Sequence, residues 1–104
     1  MTARWIKVAT IDAIAPDDMI GIEVEGLQVA LYHVGGAYHA TSNVCTHAYA
    51  LLTDGFLDDC MVECPIHSGR FDIRTGAAEG PPVSRDLKCY RVKVEGQDIL
   101  IGLD

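Results

Sequence analysis

Basic residues are scarce in this chain, which has 8 Lys and Arg against 15 Asp and Glu. The formal net charge is −7 and the sequence pI is about 4.8. A protein that binds nucleic acid or an anionic membrane needs clustered positive charge. The composition therefore argues against both kinds of partner. It suits a protein that meets positively charged protein surfaces.

The first 18 residues contain no long apolar run, because Asp12, Asp17 and Asp18 interrupt them. A secretory signal or a membrane span requires such a run. We therefore expect a cytoplasmic protein that does not associate with a membrane. In a reducing cytosol, cysteines are more often metal ligands, catalytic groups or buried thiols than disulfides.

Sustained helical periodicity is also missing, and only the residues after Thr10 could form a short helical turn. Strand signals dominate, with apolar alternation or apolar runs bounded by glycine turns. The glycine pair Gly35-Gly36 predicts a hairpin. A length of 104 residues allows one domain, so residues 1–104 are interpreted as a single all-β domain, an antiparallel sandwich or partly open barrel. The predicted strands are Ile22–Glu25, Leu27–Val34, Ala37–Ala40, Tyr90–Glu95 and Ile99–Ile101.

Two short clusters of metal-ligand residues interrupt the strand pattern. Cys45-x-His47 and Cys64-x-x-His67 lie in predicted loops on either side of residues 48–63. Two thiolates and two imidazoles suit zinc or an iron–sulfur cluster. Zinc fingers follow the order Cys, Cys, His, His, and the order here is Cys, His, Cys, His. A zinc-bound structural module remains an alternative.

The pair of clusters resembles the signature of Rieske [2Fe–2S] proteins, including the proline that follows the second cysteine. Similarity to the small Rieske ferredoxins of bacterial aromatic-ring-hydroxylating dioxygenases, of the naphthalene and biphenyl type, extends over nearly the whole chain. The resemblance implies a Rieske-type β sandwich or barrel with two cluster-binding loops and one [2Fe–2S] cluster. The further matching segments are Asp54-Gly55, Gly69–Asp72, Thr75-Gly76 and Pro81-Pro82.

The same resemblance implies a set of cluster ligands. Cys45 and Cys64 would bind one iron, and His47 and His67 would bind the other. Two neutral imidazoles in place of two thiolates make the cluster less negative, so it accepts an electron more easily than an all-cysteine cluster.

Four positions predict a reduction potential at the low end of the Rieske range. High-potential members have a disulfide between the loops, where this chain has Ala50 and Ile66. They also place Ser and Tyr hydroxyls against the cluster sulfurs, where this chain has Gly69 and Phe71. Hydroxyl donors stabilise the reduced state, so we expect a potential near about −150 mV.

The resemblance implies an electron carrier rather than an enzyme. It would take single electrons from a flavoprotein ferredoxin reductase and pass them to the Rieske centre of a terminal oxygenase in aromatic hydrocarbon catabolism. Such contacts are small and transient, so we expect a soluble monomer. The alternative within the same fold is the small subunit of an assimilatory nitrite reductase.

Several other residues receive structural interpretations. Cys60 and Cys89 lie in strand-like segments and are expected to be small buried hydrophobes. Asp58 and Asp59 are the best candidates for steering a basic partner. We expect His33 and His39 to face solvent from their strands. We expect Trp5 and Phe56 to belong to the core.

Overall fold

The structure is a computed structural model that describes residues 4–46, 50–66, 69–80 and 85–103. The described residues form nine strands and two short 3₁₀ turns, Ile11–Ala13 and Leu52–Asp54, with no α-helix among them. The strands are β1 (Arg4–Thr10), β2 (Asp18–Val24), β3 (Leu27–Val34), β4 (Ala37–Ser42), β5 (Phe56–Asp58), β6 (Met61–Glu63), β7 (Arg70–Asp72), β8 (Cys89–Glu95) and β9 (Asp98–Leu103).

Six of these strands form one antiparallel sheet in the order β1-β9-β8-β4-β3-β2. The sheet curls around a core to which all six of its strands contribute buried or half-buried apolar side chains. This sheet, which we call the base, confirms the prediction of an all-β antiparallel fold. The remaining strands form a smaller sheet in the order β5-β6-β7.

Strand β3 lies between two cores, which explains its unbroken apolar sequence. Val29 and Leu31 face the interior of the base, while Ala30 and Tyr32 face the smaller sheet. All four side chains are fully buried. A strand covered on both faces has no polar side to alternate with its apolar side, so its sequence is a continuous apolar run.

Residues 43–88 form a long excursion between two neighbouring strands of the base. β4 and β8 pair directly, with Ala40 opposite Tyr90 and Thr41 opposite Cys89. The excursion contains the smaller sheet and both loops that carry the Cys/His clusters. Both loops therefore belong to one segment that is joined to the base at each end, and the rigid base limits how far they can move relative to each other.

The predicted strands and the hairpin at Gly35-Gly36 are confirmed, as is the helical turn after Thr10. The strand predicted over Ile22–Glu25 begins earlier, at Asp18, and ends at Val24, because Glu25 has a positive φ in the turn that follows. Both glycines of the hairpin have positive φ, at 61° and 77°, which matches the twist of the flanking strands. Strand β1 was not predicted. Its pairing with β9 shifts register between Lys7 and Ala9, so the alternation of its side chains is interrupted there.

The prediction that Trp5 and Phe56 belong to the core is wrong. Phe56 is 66% exposed, because the alternation of β5 turns the neighbouring Leu57 inward instead. Trp5 is 36% exposed on the outer face of β1. Its ring lies under the Lys93 ammonium at 4.3 Å, a cation–π contact that suits a surface indole.

The interpretations of four further residues also need correction. Cys89 is exposed at the start of β8, and Cys60 is half-buried in the turn between β5 and β6, so neither is a fully buried thiol. His33 and His39 are half-buried rather than solvent-facing. His33 stacks on Tyr38 with ring centroids 4.3 Å apart.

No helix in the described part of the chain is long and apolar enough to cross a membrane.

We expect the stability of the protein to fall in two steps on acidification. Burial lowers the pKa of His39, and hydrogen bonds from Arg74 lower the pKa of Asp72. As the pH falls, His39 therefore becomes protonated in the unfolded chain before it does so in the folded protein. The free energy of unfolding begins to fall below about pH 6.5 for this reason. The Asp72 contribution is present above about pH 4 and is lost as the pH falls through its folded value.

Unfolding curves of wild type, His39→Gln and Asp72→Asn across this pH range measure the two steps. His39→Gln should remove the first step and Asp72→Asn the second. Acid also protonates metal ligands, so each variant is compared with wild type at the same pH. Identical pH profiles for all three proteins would contradict the assignment.

Candidate metal centre

The fold brings together the two cysteines of the Cys/His clusters. Cys45 is 4% exposed and Cys64 is 1% exposed, and both belong to the same apolar core. Their thiols are hydrogen-bonded to each other. Two residues on separate loops of the excursion thus lie in the same core.

Each cysteine lies at the base of a loop that its own backbone closes. The N–H of Cys45 donates to the Ala50 carbonyl at 3.0 Å, and the N–H of Cys64 donates to the Gly69 carbonyl at 2.7 Å. We call residues 44–51 loop 1 and residues 64–69 loop 2. In both loops the hydrogen bond joins a cysteine to the residue five positions later, so the two closures match.

The predicted histidine ligands lie outside the described residues. His47 falls in the gap at 47–49, and His67 falls in the gap at 67–68. In sequence, each follows its cysteine within the segment that the loop closure spans. Their assignment therefore remains a prediction.

The environment of Cys64 disfavours ionisation of its thiol in the absence of a cation. Burial raises the pKa of the Cys64 thiol, and the adjacent Cys45 raises it further. The backbone N–H of Ile66 acts in the opposite direction by donating a hydrogen bond to the Cys64 sulfur. A bound metal cation reverses the balance, because a coordinating thiol is deprotonated outright.

The donor set therefore fits a metal group with thiolate ligands. Two buried sulfurs in contact, with a backbone donor aimed at one of them, are suited to soft-ligand metals such as iron in clusters or zinc. None of the four cysteines forms a disulfide, so no disulfide competes for these two. Cys60 is half-buried and packs against the edge of the core that holds the pair, whereas Cys89 is not part of that core.

A buried asparagine anchors loop 1 to its surroundings. Asn43 is 1% exposed, and its backbone N–H donates to the Gln28 carbonyl of β3 at 2.9 Å. The backbone carbonyl of Asn43 accepts a hydrogen bond from the Leu52 N–H. Its side-chain amide is hydrogen-bonded to Thr53 on the far side of the loop. Sequence reasoning did not single out Asn43, because an asparagine before a loop is commonplace.

A second anchor joins loop 1 to the segment before β8. The Thr46 hydroxyl donates to the Arg85 carbonyl at 2.8 Å, and the Arg85 guanidinium donates to the Thr46 carbonyl at 3.2 Å. Thr46 lies between the two predicted ligands of this loop. Arg85 also escaped sequence reasoning, since a surface arginine has no local signal for a distant contact.

Gly55 allows loop 2 to approach loop 1. A Cβ at this position would overlap the Glu63 carbonyl oxygen and lie 3.0 Å from Pro65 Cδ. Glu63 and Pro65 are the two neighbours of Cys64 in the chain. The glycine of the predicted Asp54-Gly55 turn therefore has a packing role next to the candidate metal centre.

Exposed apolar side chains surround this end of the excursion. Val44 and Leu51 form an isolated bridge on loop 1 and are 38% and 37% exposed. Ile66 on loop 2 is 39% exposed. Residues 8–69 contain no lysine or arginine, although Arg70 of β7 lies opposite Glu63 of β6 and Arg74 interacts electrostatically with Asp59.

Comparison with known proteins supports a specific family. The sequence pattern of the Rieske [2Fe–2S] domain matches residues 4–91. The chain is 47% identical over 103 residues to the ferredoxin component of a naphthalene 1,2-dioxygenase system from Pseudomonas aeruginosa, covering 99% of each chain.

Two solved structures share the fold over almost their whole length. One is a chain in the complex of reduced oxygenase and oxidized ferredoxin of carbazole 1,9a-dioxygenase, with 31% identity, a TM-score of 0.89 and coverage of 94% and 92%. The other is a candidate small subunit of an NADH-dependent nitrite reductase from Mycobacterium tuberculosis. It has 25% identity, a TM-score of 0.86 and coverage of 100% and 98%.

Proposed function

Since the chain belongs to the Rieske [2Fe–2S] domain family, we propose that it is the ferredoxin component of an aromatic-ring-hydroxylating dioxygenase system. It acts as a single-domain electron carrier and does not itself catalyse the hydroxylation. The observation that carries the proposal is the full-length identity of 47% to a protein with that role. The buried thiol pair on two matched loops agrees with it.

Cys45, His47, Cys64 and His67 are proposed as the ligands of one [2Fe–2S] cluster. Support comes from the convergence of Cys45 and Cys64 in one core and from the family match, which spans all four residues. Each histidine follows its cysteine within a loop that a backbone hydrogen bond closes. The bound cluster supplies the one-electron chemistry, and its mixed ligation sets a potential above that of all-cysteine ferredoxins.

The residues around the ligands are suited to holding charge without rearrangement. The Ile66 N–H donates to the Cys64 sulfur, which offsets part of the negative charge on a thiolate. Loop closures at Ala50 and Gly69 fix both cysteines on a rigid β frame. A carrier that moves little between its two redox states exchanges electrons with a low reorganisation cost.

A low potential follows from what the loops do not contain. None of the four cysteines forms a disulfide, and Ala50 and Ile66 occupy the positions at which a disulfide would join the loops. Phe71 is fully buried and has no hydroxyl to donate. We expect a midpoint near about −150 mV, which suits delivery from a flavin to an oxygenase.

The partners are proposed to dock over the loops. Val44, Leu51 and Ile66 offer exposed apolar area beside the metal centre, as a short electron path requires. The acidic residues nearby would attract a partner that carries Lys and Arg around its docking site. One partner is a flavoprotein reductase and the other is the terminal oxygenase, and the carrier is a cytoplasmic monomer.

An EPR spectrum of the dithionite-reduced protein tests the proposal directly. A rhombic signal with an average g-value below that of all-cysteine clusters would support mixed Cys/His ligation. Electron delivery from NADH through a ferredoxin reductase to a naphthalene-type oxygenase would then support the carrier role. A colourless protein that contains zinc and gives no signal would contradict the function.

The nitrite reductase alternative makes a different prediction about assembly. A subunit should co-purify with a large partner in a stable complex and should not relay electrons to an oxygenase. The lower identity to the nitrite reductase protein, 25% against 47%, favours the ferredoxin. Size-exclusion chromatography of a mildly lysed native source separates the two readings.

We expect that neutralising Asp58 and Asp59 slows electron delivery at low salt. Both carboxylates are exposed at the tip of the β5–β6 hairpin. Loss of steering charge should lower the second-order rate with a basic partner by about tenfold, with little change at high salt. Stopped-flow reduction of Asp58→Asn/Asp59→Asn measures this, and Asp17→Asn/Asp18→Asn, where a turn leads into β2, is the control. Equal rates for both double variants would contradict steering by this hairpin.

A further inference from the structure

Loop 1 and loop 2 differ in how their ends are held. Loop 2 continues into two paired strands, with Glu63 of β6 opposite Arg70 of β7. Loop 1 leaves β4 on one side and enters a 3₁₀ turn at Leu52 on the other. Val44 and Leu51 form only an isolated bridge. The base of loop 1 therefore has no strand ladder to hold it shut.

A side-chain pair takes the place of that ladder. The Asn43 amide nitrogen donates to the Thr53 hydroxyl at 2.9 Å, and the Thr53 N–H donates to the Asn43 amide oxygen at 3.0 Å. The Leu52 N–H donates to the Asn43 carbonyl at 2.8 Å. Three hydrogen bonds thus cross the base of loop 1, two rungs below the Cys45–Ala50 closure.

Gly21 leaves the space that this pair occupies. It lies inside β2, opposite Ala30 of β3, where a glycine weakens a strand. It is not among the glycines with positive φ, so the backbone conformation does not require it. A Cβ at position 21 would lie 2.9 Å from the Asn43 amide nitrogen and 3.0 Å from the Thr53 hydroxyl.

We propose that Asn43, Thr53 and Gly21 form a latch that positions loop 1 on the metal centre. Asn43 and Thr53 join the two ends of the loop, and Gly21 lets the backbone of β2 cover them. The latch holds Cys45, and the rest of loop 1 with it, at a fixed distance from Cys64. These are positioning residues, because none of them reaches the metal ligands itself.

The latch should act on the metal group as outer-shell partners do. Such partners orient the ligands, and their loss commonly lowers metal affinity by about 10- to 100-fold. In a buried setting the loss of one partner leaves the other polar group unsatisfied. Opening the base of loop 1 should therefore both speed loss of the cluster and change the geometry of its ligation.

Thr53→Val and Thr53→Ser form a matched pair of tests in the cluster-loaded protein. Valine keeps the shape of threonine but removes the acceptor for Asn43, whereas serine keeps the hydroxyl. Cluster loss is followed by visible absorbance, and ligation is followed by the EPR g-values and the midpoint potential. We expect Thr53→Val to lose the cluster about 10- to 100-fold faster with altered g-values, and Thr53→Ser to match wild type.

Gly21→Ala tests the covering strand, with Glu23→Ala as control on the same face of β2. We expect Gly21→Ala to resemble Thr53→Val and Glu23→Ala to resemble wild type. If Gly21→Ala does not fold, the Thr53 pair decides the matter alone. Wild-type g-values, potential and loss rate in Thr53→Val, or equal damage in Thr53→Ser, would overturn the latch.

The inference rests on the proposed ligand set, and the two can fail separately. An absent Rieske signal in the wild-type protein would remove the proposed function. Failure of the latch would be visible only in the comparison among variants. A Thr53→Val protein that is less stable to urea but keeps the wild-type EPR signal and potential would also count against the latch.

Discussion

Replacing Cys45 or Cys64 by serine is expected to give a colourless protein that retains almost no iron. Both thiols are buried in one core and are hydrogen-bonded to each other, so each would ligate the same iron. A serine oxygen is a harder ligand and ionises far less readily than a thiol, so it does not replace a thiolate on a cluster iron. Iron and sulfide analysis with the visible spectrum measures the loss.

The chain supplies its own controls for this experiment. Cys60 lies in the turn between β5 and β6, and Cys89 lies exposed on β8. Cys60→Ser and Cys89→Ser should keep the iron content, the colour and the electron-transfer rate of wild type. A colourless Cys89→Ser protein beside a coloured Cys45→Ser protein would mean that the ligand set is wrong.

A methyl group at Gly55 is expected to disturb the metal centre without touching a ligand. The added Cβ would overlap the Glu63 carbonyl oxygen, so the backbone on either side of Cys64 has to move. Overpacking of this kind costs about 1–3 kcal/mol. We therefore expect Gly55→Ala to unfold at lower urea concentration and to show a shifted or weakened EPR signal.

Gly36→Ala separates the effect on the metal centre from a general loss of stability. No heavy atom lies within 4 Å of a Cβ at this position, but its φ of +77° is left-handed. Alanine there costs about 1–2 kcal/mol through backbone strain alone. Gly36→Ala should lose stability and keep the wild-type signal. The same signal in both variants would show that the Gly55 contact does not control the centre.

The parts of the fold that could be predicted from the sequence are those with strong local patterns. Strand β8 alternates polar and apolar residues, and β3 and β4 are joined by Gly35-Gly36, so these elements carry their own signals. Strands β5, β6 and β7 have three residues each, too few for an alternation to be recognised. Strand β1 was missed because its register shift interrupts the pattern.

The two cysteines could be proposed as ligands from the sequence, whereas the residues that would position them could not. The spacing of cysteine and histidine is a property of the sequence, but the bonds of Asn43 to Thr53 and of Arg85 to Thr46 depend on tertiary structure. One signal was available and was overlooked. Gly21 inside an otherwise apolar strand indicates a close approach of another chain segment.

The distribution of charge was a second overlooked signal. Net charge alone suggested a basic partner, but the absence of Lys and Arg from residues 8–69 places the acidic side on the part of the chain that includes both loops.

The misplacement of Phe56 has the same origin as that of Trp5. Each large aromatic residue was taken as core, although the alternation of side chains along its strand decides which of them turn inward.

The adjacency of β4 and β8 bears on how such a protein survives the loss of its iron. Residues 43–88 leave the base at β4 and return to it at the neighbouring strand β8. If this segment lost its structure, the entropic cost of holding its two ends together would grow only slowly with its length. The base has a separate core built from strands on both sides of this segment. We expect oxidative damage to empty and loosen the excursion while the base stays folded. A molecule in that state would be a repairable scaffold that can be reloaded with iron and sulfide instead of being degraded.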